Sequence, residues 1–137
     1  MSTGAIDPTT LPDDEAIFAA RSLPHDQMLQ HVDVVITHCG LGTVHRALTF
    51  GVPLLCQPLG RDQPDVAARV VAAGAGLRLS PNASPRRVAA ALNRLLADPG
   101  FRERARLVGA RLRAAAEPQA YLAELEAVAI ERASSAT

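Results

Sequence analysis

His38, Thr43, Asp62 and Gln63 are the side chains whose types and spacing point to chemistry, and all four fall within HCGLGTVHRALTFGVPLLCQPLGRDQ, residues 38–63. The apolar run Val32-Asp33-Val34-Val35-Ile36-Thr37 stops at His38, the small stretch Cys39-Gly40-Leu41-Gly42-Thr43 follows, and a helical pattern then begins. The order is that of a strand, a tight turn and a helix N-terminus. Such a terminus carries unpaired amides and the positive end of the helix dipole, and both attract anions. His38 and the Thr43 hydroxyl add side-chain donors at the same place. The residues therefore predict a diphosphate site built from His38, Gly40, Gly42 and Thr43. Thr43 also fits a helix N-cap, a role compatible with phosphate contact because both use the same orphan amides.

The elements that must position this turn can be read on either side of it. Residues 1–14 carry Gly, prolines and threonines and read as loop. Ala16–Ala20 reads as a short strand, and Pro24 opens a helical turn with Met28 and Leu29 as its apolar contacts. Val32–Thr37 is mostly β-branched and bounded by turn signals, as a buried parallel strand is. A helix follows over Gly42–Phe50, with Val44, Ala47 and Leu48 inward and Gly51 as its left-handed C-cap. Val52–Gln57 is the next strand, and Pro53 is tolerable at its start. Pro58–Gln63 is loop, Pro64–Ala73 helix closed by Gly74, and Gly76–Leu79 strand. Ser84-Pro85 and Asp98-Pro99 are two helix starts, each a capping residue followed by proline at the first helical position. Pro118 opens a last helix to about Arg132. Strands alternating with helices predict a Rossmann-like parallel sheet with helices on both faces. The domain runs over 15–133, and 134–137 is a frayed tail.

The 137 residues suit one domain, and a hydrophobic fraction of 48%, mostly Ala, Val and Leu, allows a full core. Fourteen basic and fourteen acidic residues cancel, so no global field draws nucleic acid or anionic membrane. No run approaches the roughly 20 apolar residues that span a bilayer. The two cysteines, Cys39 and Cys56, have neither metal-type nor disulfide-framework spacing, which predicts a reducing, cytoplasmic setting.

The run 38–63 resembles the C-terminal donor-binding domain of GT-B-fold glycosyltransferases. More narrowly, it is similar to the UDP- or dTDP-sugar-dependent family that glycosylates natural products and small lipophilic molecules. The resemblance rests on His38-Cys39-Gly40, Gly42-Thr43, Gly51-Val52-Pro53 and Asp62-Gln63, in order and at the family's spacing. Leu23-Pro24-His25 with Met28-Leu29, Ala67-Ala68-Arg69-Val70 and Gly74-Ala75-Gly76 extend it on both sides. It covers residues 5–130.

The resemblance implies an inverting transfer of a sugar from UDP- or dTDP-sugar to a hydroxyl of a small-molecule acceptor. It places His38, Gly40, Gly42 and Thr43 on the donor diphosphate and Asp62 and Gln63 on the sugar hydroxyls. Leu23, Pro24, His25 and Arg46 fall near the base and ribose. A carboxylate beside an amide suits vicinal hydroxyls, since one accepts and the other both donates and accepts. No cofactor or metal is implied, because the nucleotide sugar is a substrate. Arg46 stands where many members carry Glu, Asp65 where many carry Asn, and no aromatic lies near Leu23-Pro24 to stack on the base.

The family's N-terminal domain, which binds the acceptor and carries the catalytic base, has no counterpart in this sequence, and neither do the opening strands of the donor domain. The expectation is a part with no transferase activity alone. It is completed by the missing acceptor domain in one chain or by a partner subunit. The competing reading is a non-catalytic assembly module that kept the fold. An exposed sheet edge further predicts a homodimer. His31 and His45 read as surface residues, Cys39 as a small buried filler, and the arginines at 102, 104, 106, 111 and 113 as a solvated amphipathic face.

Overall fold

Leu54, Leu55 and Cys56 form a strand in which all three residues are fully buried. Successive side chains of a strand point to opposite faces, so this burial requires cover on both sides of the sheet. The computed structural model describes residues 7–10, 14–115 and 121–135. Three parallel strands, β1 (Val35–Thr37), β2 (Leu54–Cys56) and β3 (Gly76–Arg78), lie in the order β1-β2-β3. The register pairs Val35 with Leu54 and Leu54 with Gly76. Among the described residues six α-helices accompany them: α1 (His25–Met28), α2 (Leu41–Thr49), α3 (Gln63–Ala72), α4 (Pro85–Ala97), α5 (Pro99–Ala114) and α6 (Tyr121–Ser135). The expected α/β architecture, a parallel sheet with helices on both faces, is therefore the one observed.

The chain divides into two compact units, Met1–His31 and Val32–Thr137. In the first, Pro8–Thr10 makes one 3-10 turn and α1 is a single turn. The strand expected over Ala16–Ala20 does not form; only Ala20 makes an isolated bridge. Asp14 explains this. Its side chain accepts the Ala16 amide at 2.9 Å and its carbonyl the Ile17 amide at 2.8 Å, an Asx turn that consumes donors a ladder would need. Ile17 and Phe18 remain exposed.

In the second unit, Leu55 packs on Ala91, Leu95 and Phe101, which places α4 and the start of α5 on one face. Helix α2 lays Val44, Ala47 and Leu48 inward. Burying Leu48 alone contributes about 1.5–3 kcal/mol. Helices α2 and α3 end alike. Gly51 (φ 70°) and Gly74 (φ 76°) are left-handed, and the next amides return to Ala47 and Val70, closing Schellman motifs. Asp98 caps α5 by accepting the Gly100 amide at 2.9 Å. Ser84 occupies the N-cap of α4 but makes no side-chain cap bond. The expected start of the last helix at Pro118 lies outside the described residues. No helix among the described residues is long and apolar enough to cross a membrane.

The arginines of α5 do more than face solvent. Arg102 pairs with Asp33 at 2.9 Å, Arg111 with Glu131 at 2.7 Å, and Arg113 donates to the Thr49 carbonyl at the end of α2. Arg106 lies over Gly51, while Arg132 of α6 donates to the Val71 and Ala72 carbonyls at the end of α3. Cations at helix C-termini are favourable, worth about 0.3–1 kcal/mol each at the surface.

Candidate functional site

The turn after β1 is built by Thr37. This side chain is buried, and its Oγ1 accepts the Cys39 amide at 3.1 Å. Cys39 takes the left-handed conformation, φ 70°, which for a residue other than glycine costs roughly 1–2 kcal/mol. The chain then enters α2 through Gly40, the N-cap, with φ −61° and ψ 135°. Gly40 has no side chain to offer a cap, and its carbonyl accepts the Thr43 and Val44 amides, both at 3.1 Å. The Leu41 and Gly42 amides have no protein partner among the described residues. The N-cap role expected of Thr43 thus belongs to Gly40, because the helix starts at Leu41, one residue before the expected Gly42. Thr43 stands in the first turn with its hydroxyl uncommitted to capping.

His38 is exposed, and its imidazole lies across Gly40. A Cβ built on Gly40 would come within 2.8 Å of His38 Nε2 and 3.6 Å of Cδ2 and Cε1. A Cβ on Gly42 would meet nothing within 4 Å. Imidazole, free amides and helix dipole therefore converge on open space, an arrangement suited to an anion.

The second loop leaves the neighbouring strand at the same end of the sheet. Thr37 is in register with Cys56, and the Gln57 amide donates to the Thr37 carbonyl at 2.8 Å. Gln63, at the start of α3, turns back on this loop. Its Oε1 accepts the Leu59 amide at 2.8 Å and the Gly60 amide at 3.2 Å. Arg61 between them is left-handed, φ 58°. Asp62, the N-cap of α3, is exposed and makes no cap bond. Its carboxylate is available as an acceptor. Gln63 is available only as a donor through Nε2, which narrows the dual role its amide would otherwise have.

Ends of adjacent parallel strands are where open α/β sheets bind ligands. The structure brings His38, Gly40, Gly42 and Thr43 into one turn and sets Asp62 and Gln63 on the neighbouring loop. Arg46 lies one helical turn beyond Gly42 and is exposed. Leu23, Pro24 and His25 belong to the first unit, where Pro24 precedes α1 and His25 is half-buried.

Two features of the site escape the sequence reading. One is the Gln63 clamp, whose only signal is an amide four residues after Leu59. The other is the thiol pair beneath the turn. Cys39 and Cys56 are both free and fully buried, and their thiols hydrogen-bond each other. That bond, with burial, pushes the Cys56 pKa up; the same bond lowers Cys39 against the opposing effect of its burial. Cys56 therefore stays a thiol beside Cys39 at the base of the turn.

Comparison with known proteins gives one consistent picture. The family described as erythromycin biosynthesis protein CIII-like, C-terminal domain, matches residues 5–128. The 4'-demethylrebeccamycin synthase of Lentzea aerocolonigenes is 40% identical over 94 residues, 68% of this chain and 21% of that protein. The sterol 3-beta-glucosyltransferase of Pichia angusta is 37% identical over 97 residues, 71% of this chain but 8% of that protein. Among solved structures, the kitacinnamycin glycosyltransferase superposes with a TM-score of 0.76 at 30% identity, over 96% of this chain and 34% of that one. The glycosyltransferase VinC, solved in complex with dTDP, gives 0.72 at 29% identity over 86% of this chain and 30% of that one. The chain thus spans about a third or less of each of these proteins.

Proposed function

This chain belongs to the EryCIII-like C-terminal domain family of GT-B glycosyltransferases, and from that premise we propose that it binds the donor in transfer of a sugar from UDP- or dTDP-sugar to an acceptor hydroxyl. In that inverting reaction the acceptor oxygen attacks the anomeric carbon. The bond from that carbon to the diphosphate oxygen breaks, and the diphosphate leaves with the electron pair. Negative charge grows on the departing diphosphate. His38 and the Leu41 and Gly42 amides stand where they stabilise it, and fixed donors aimed at developing charge are a major source of catalysis. The Thr43 hydroxyl adds one more donor. The Asp62 carboxylate accepts from a sugar hydroxyl and Gln63 Nε2 donates to another. Arg46, exposed one turn beyond Gly42, is assigned to the ribose side. The base that takes the acceptor's proton comes from the acceptor-binding part of the same chain or from a partner subunit. The 137-residue chain alone is expected to transfer no sugar.

The observation that supports this most is the uncapped start of α2 with the His38 imidazole laid over Gly40. The test is titration of UDP, dTDP and their glucose conjugates into isotope-labelled protein, beside His38→Ala. Amide shifts centred on residues 40–43 that weaken in the variant support the reading. No shifts at millimolar ligand overturn it.

A further inference from the structure

Away from the donor loops, β3 and α4 enclose a groove of about 320 Å³. Its floor is apolar, made by Leu77 and Leu79, which are half-buried, and by the buried Ala91. Its rim carries three exposed guanidinium groups, Arg78, Arg87 and Arg94. None of the three pairs with a carboxylate among the described residues, whereas Arg69, Arg102 and Arg111 each do. Arg94 is held in place by the Phe101 ring, with its guanidinium carbon 5.7 Å from the centroid. Three cations without an ion-pair partner among the described residues thus surround an apolar floor in a chain of net charge zero. β2 separates β3 from the strand that carries His38, while Arg78, in register with Cys56, carries a charge that acts on Cys39 and Cys56, so this corner of the rim reaches toward the donor turn.

We propose that this groove docks an acidic, apolar-anchored segment of a partner protein. Arg87 and Arg94 are seven residues apart on one helix, two turns, which sets them about 10 Å apart along its axis. An amphipathic helix with glutamates at the same spacing, lying along α4, presents carboxylates to both and apolar side chains to Leu77, Leu79 and Ala91. Arg78 takes a third carboxylate at the strand side. Guanidinium and carboxylate match as two-pronged partners, which fixes register as well as affinity. The apolar floor selects against a bare polyphosphate, which leaves that surface unfilled, and the groove offers no aromatic side chain on which nucleic-acid bases stack.

The test uses the whole chain, isotope-labelled, and a short synthetic helical peptide with leucines on one face and glutamates two turns apart. Saturable shifts at Leu77–Leu79 and Arg87–Arg94 are expected. They should weaken at least tenfold with the glutamine version of the peptide, at high salt, and in the doubly substituted Arg87→Glu/Arg94→Glu protein. Both positions are exposed, so that variant should keep its melting temperature; if it does not, Arg87→Gln alone provides the comparison. A lysine version of the peptide should bind the charge-reversed protein and not the parent. The proposal fails if no saturable shift occurs at millimolar peptide. It fails equally if tripolyphosphate or phosphatidylglycerol vesicles give the same response, which would mark a general anion surface.

Discussion

Gly40→Ala separates the site from the fold. The backbone at Gly40, φ −61° and ψ 135°, is ordinary for alanine. The new methyl meets only one close neighbour, the His38 ring, with Nε2 at 2.8 Å. The ring is the far end of an exposed side chain, so it moves and the backbone stays. Its tip must retreat by more than half an ångström to restore normal contact, and it then leaves the position over the α2 amides. A hydrogen bond to a charged group contributes about 1.5–3 kcal/mol, so UDP or dTDP affinity should fall roughly ten- to hundredfold. The melting temperature should hold. Isothermal titration on Gly40→Ala, His38→Ala and the double variant is the assay. The double variant should bind no worse than His38→Ala, because both changes remove one interaction. Fully additive losses, or a Gly40→Ala protein that binds like the parent, would refute the reasoning. Gly42→Ala is the companion: its methyl meets nothing within 4 Å and lies in the first turn of α2. Helix stability should rise by about 0.5–1 kcal/mol while binding falls, since the methyl enters space the diphosphate needs.

Gly109→Ala should do the reverse. A Cβ there overlaps the Leu48 carbonyl oxygen and lies 3.0 Å from its carbon, so α5 and the end of α2 must part. Overpacking of this kind costs about 1–3 kcal/mol, read as a lower midpoint in urea unfolding; an unchanged midpoint would contradict the close approach. Gln63→Glu retains an oxygen for the Leu59 and Gly60 amides but loses the Nε2 donor. Its melting temperature should match the parent, UDP binding should be nearly unchanged, and the added affinity of UDP-glucose over UDP should shrink. A variant that instead weakens UDP and UDP-glucose equally would remove Gln63 from the sugar's side of the site.

Much of the turn was legible because local chemistry dictates it. A β-branched run broken by small residues can only leave its strand, and Gly51 and Gly74 mark the ends of α2 and α3 because a left-handed C-cap wants glycine. What stayed hidden depends on partners distant in sequence. Arg106 over Gly51 and Arg132 on the last carbonyls of α3 close those same helix ends from α5 and α6. In a sequence they look like any solvated charges. The strand read at Ala16–Ala20 failed for the opposite reason: a local competitor, Asp14, took two amides that the apolar pattern alone assigned to a ladder. The Gln63 clamp is hidden in another way, since one glutamine is an equally good ligand or scaffold and only geometry shows that each half of its amide serves one purpose.

Cys39 and Arg61 bring these points together. Both are left-handed without being glycine, and both follow the C-terminal ends of neighbouring strands. A side-chain oxygen lies beside each: Thr37 Oγ1 accepts the amide of Cys39 itself, and Gln63 Oε1 accepts the Leu59 and Gly60 amides just before Arg61. Glycine at either position would be easier on the backbone, so local preference and final conformation disagree here. Such disagreement collects where a site needs a shape that the cheapest sequence does not give. The strain aims His38 across Gly40 from one strand and leaves Asp62 exposed beside the next. On the function proposed above, two loops shaped in this way would let the diphosphate be held from one strand end and the sugar from the next.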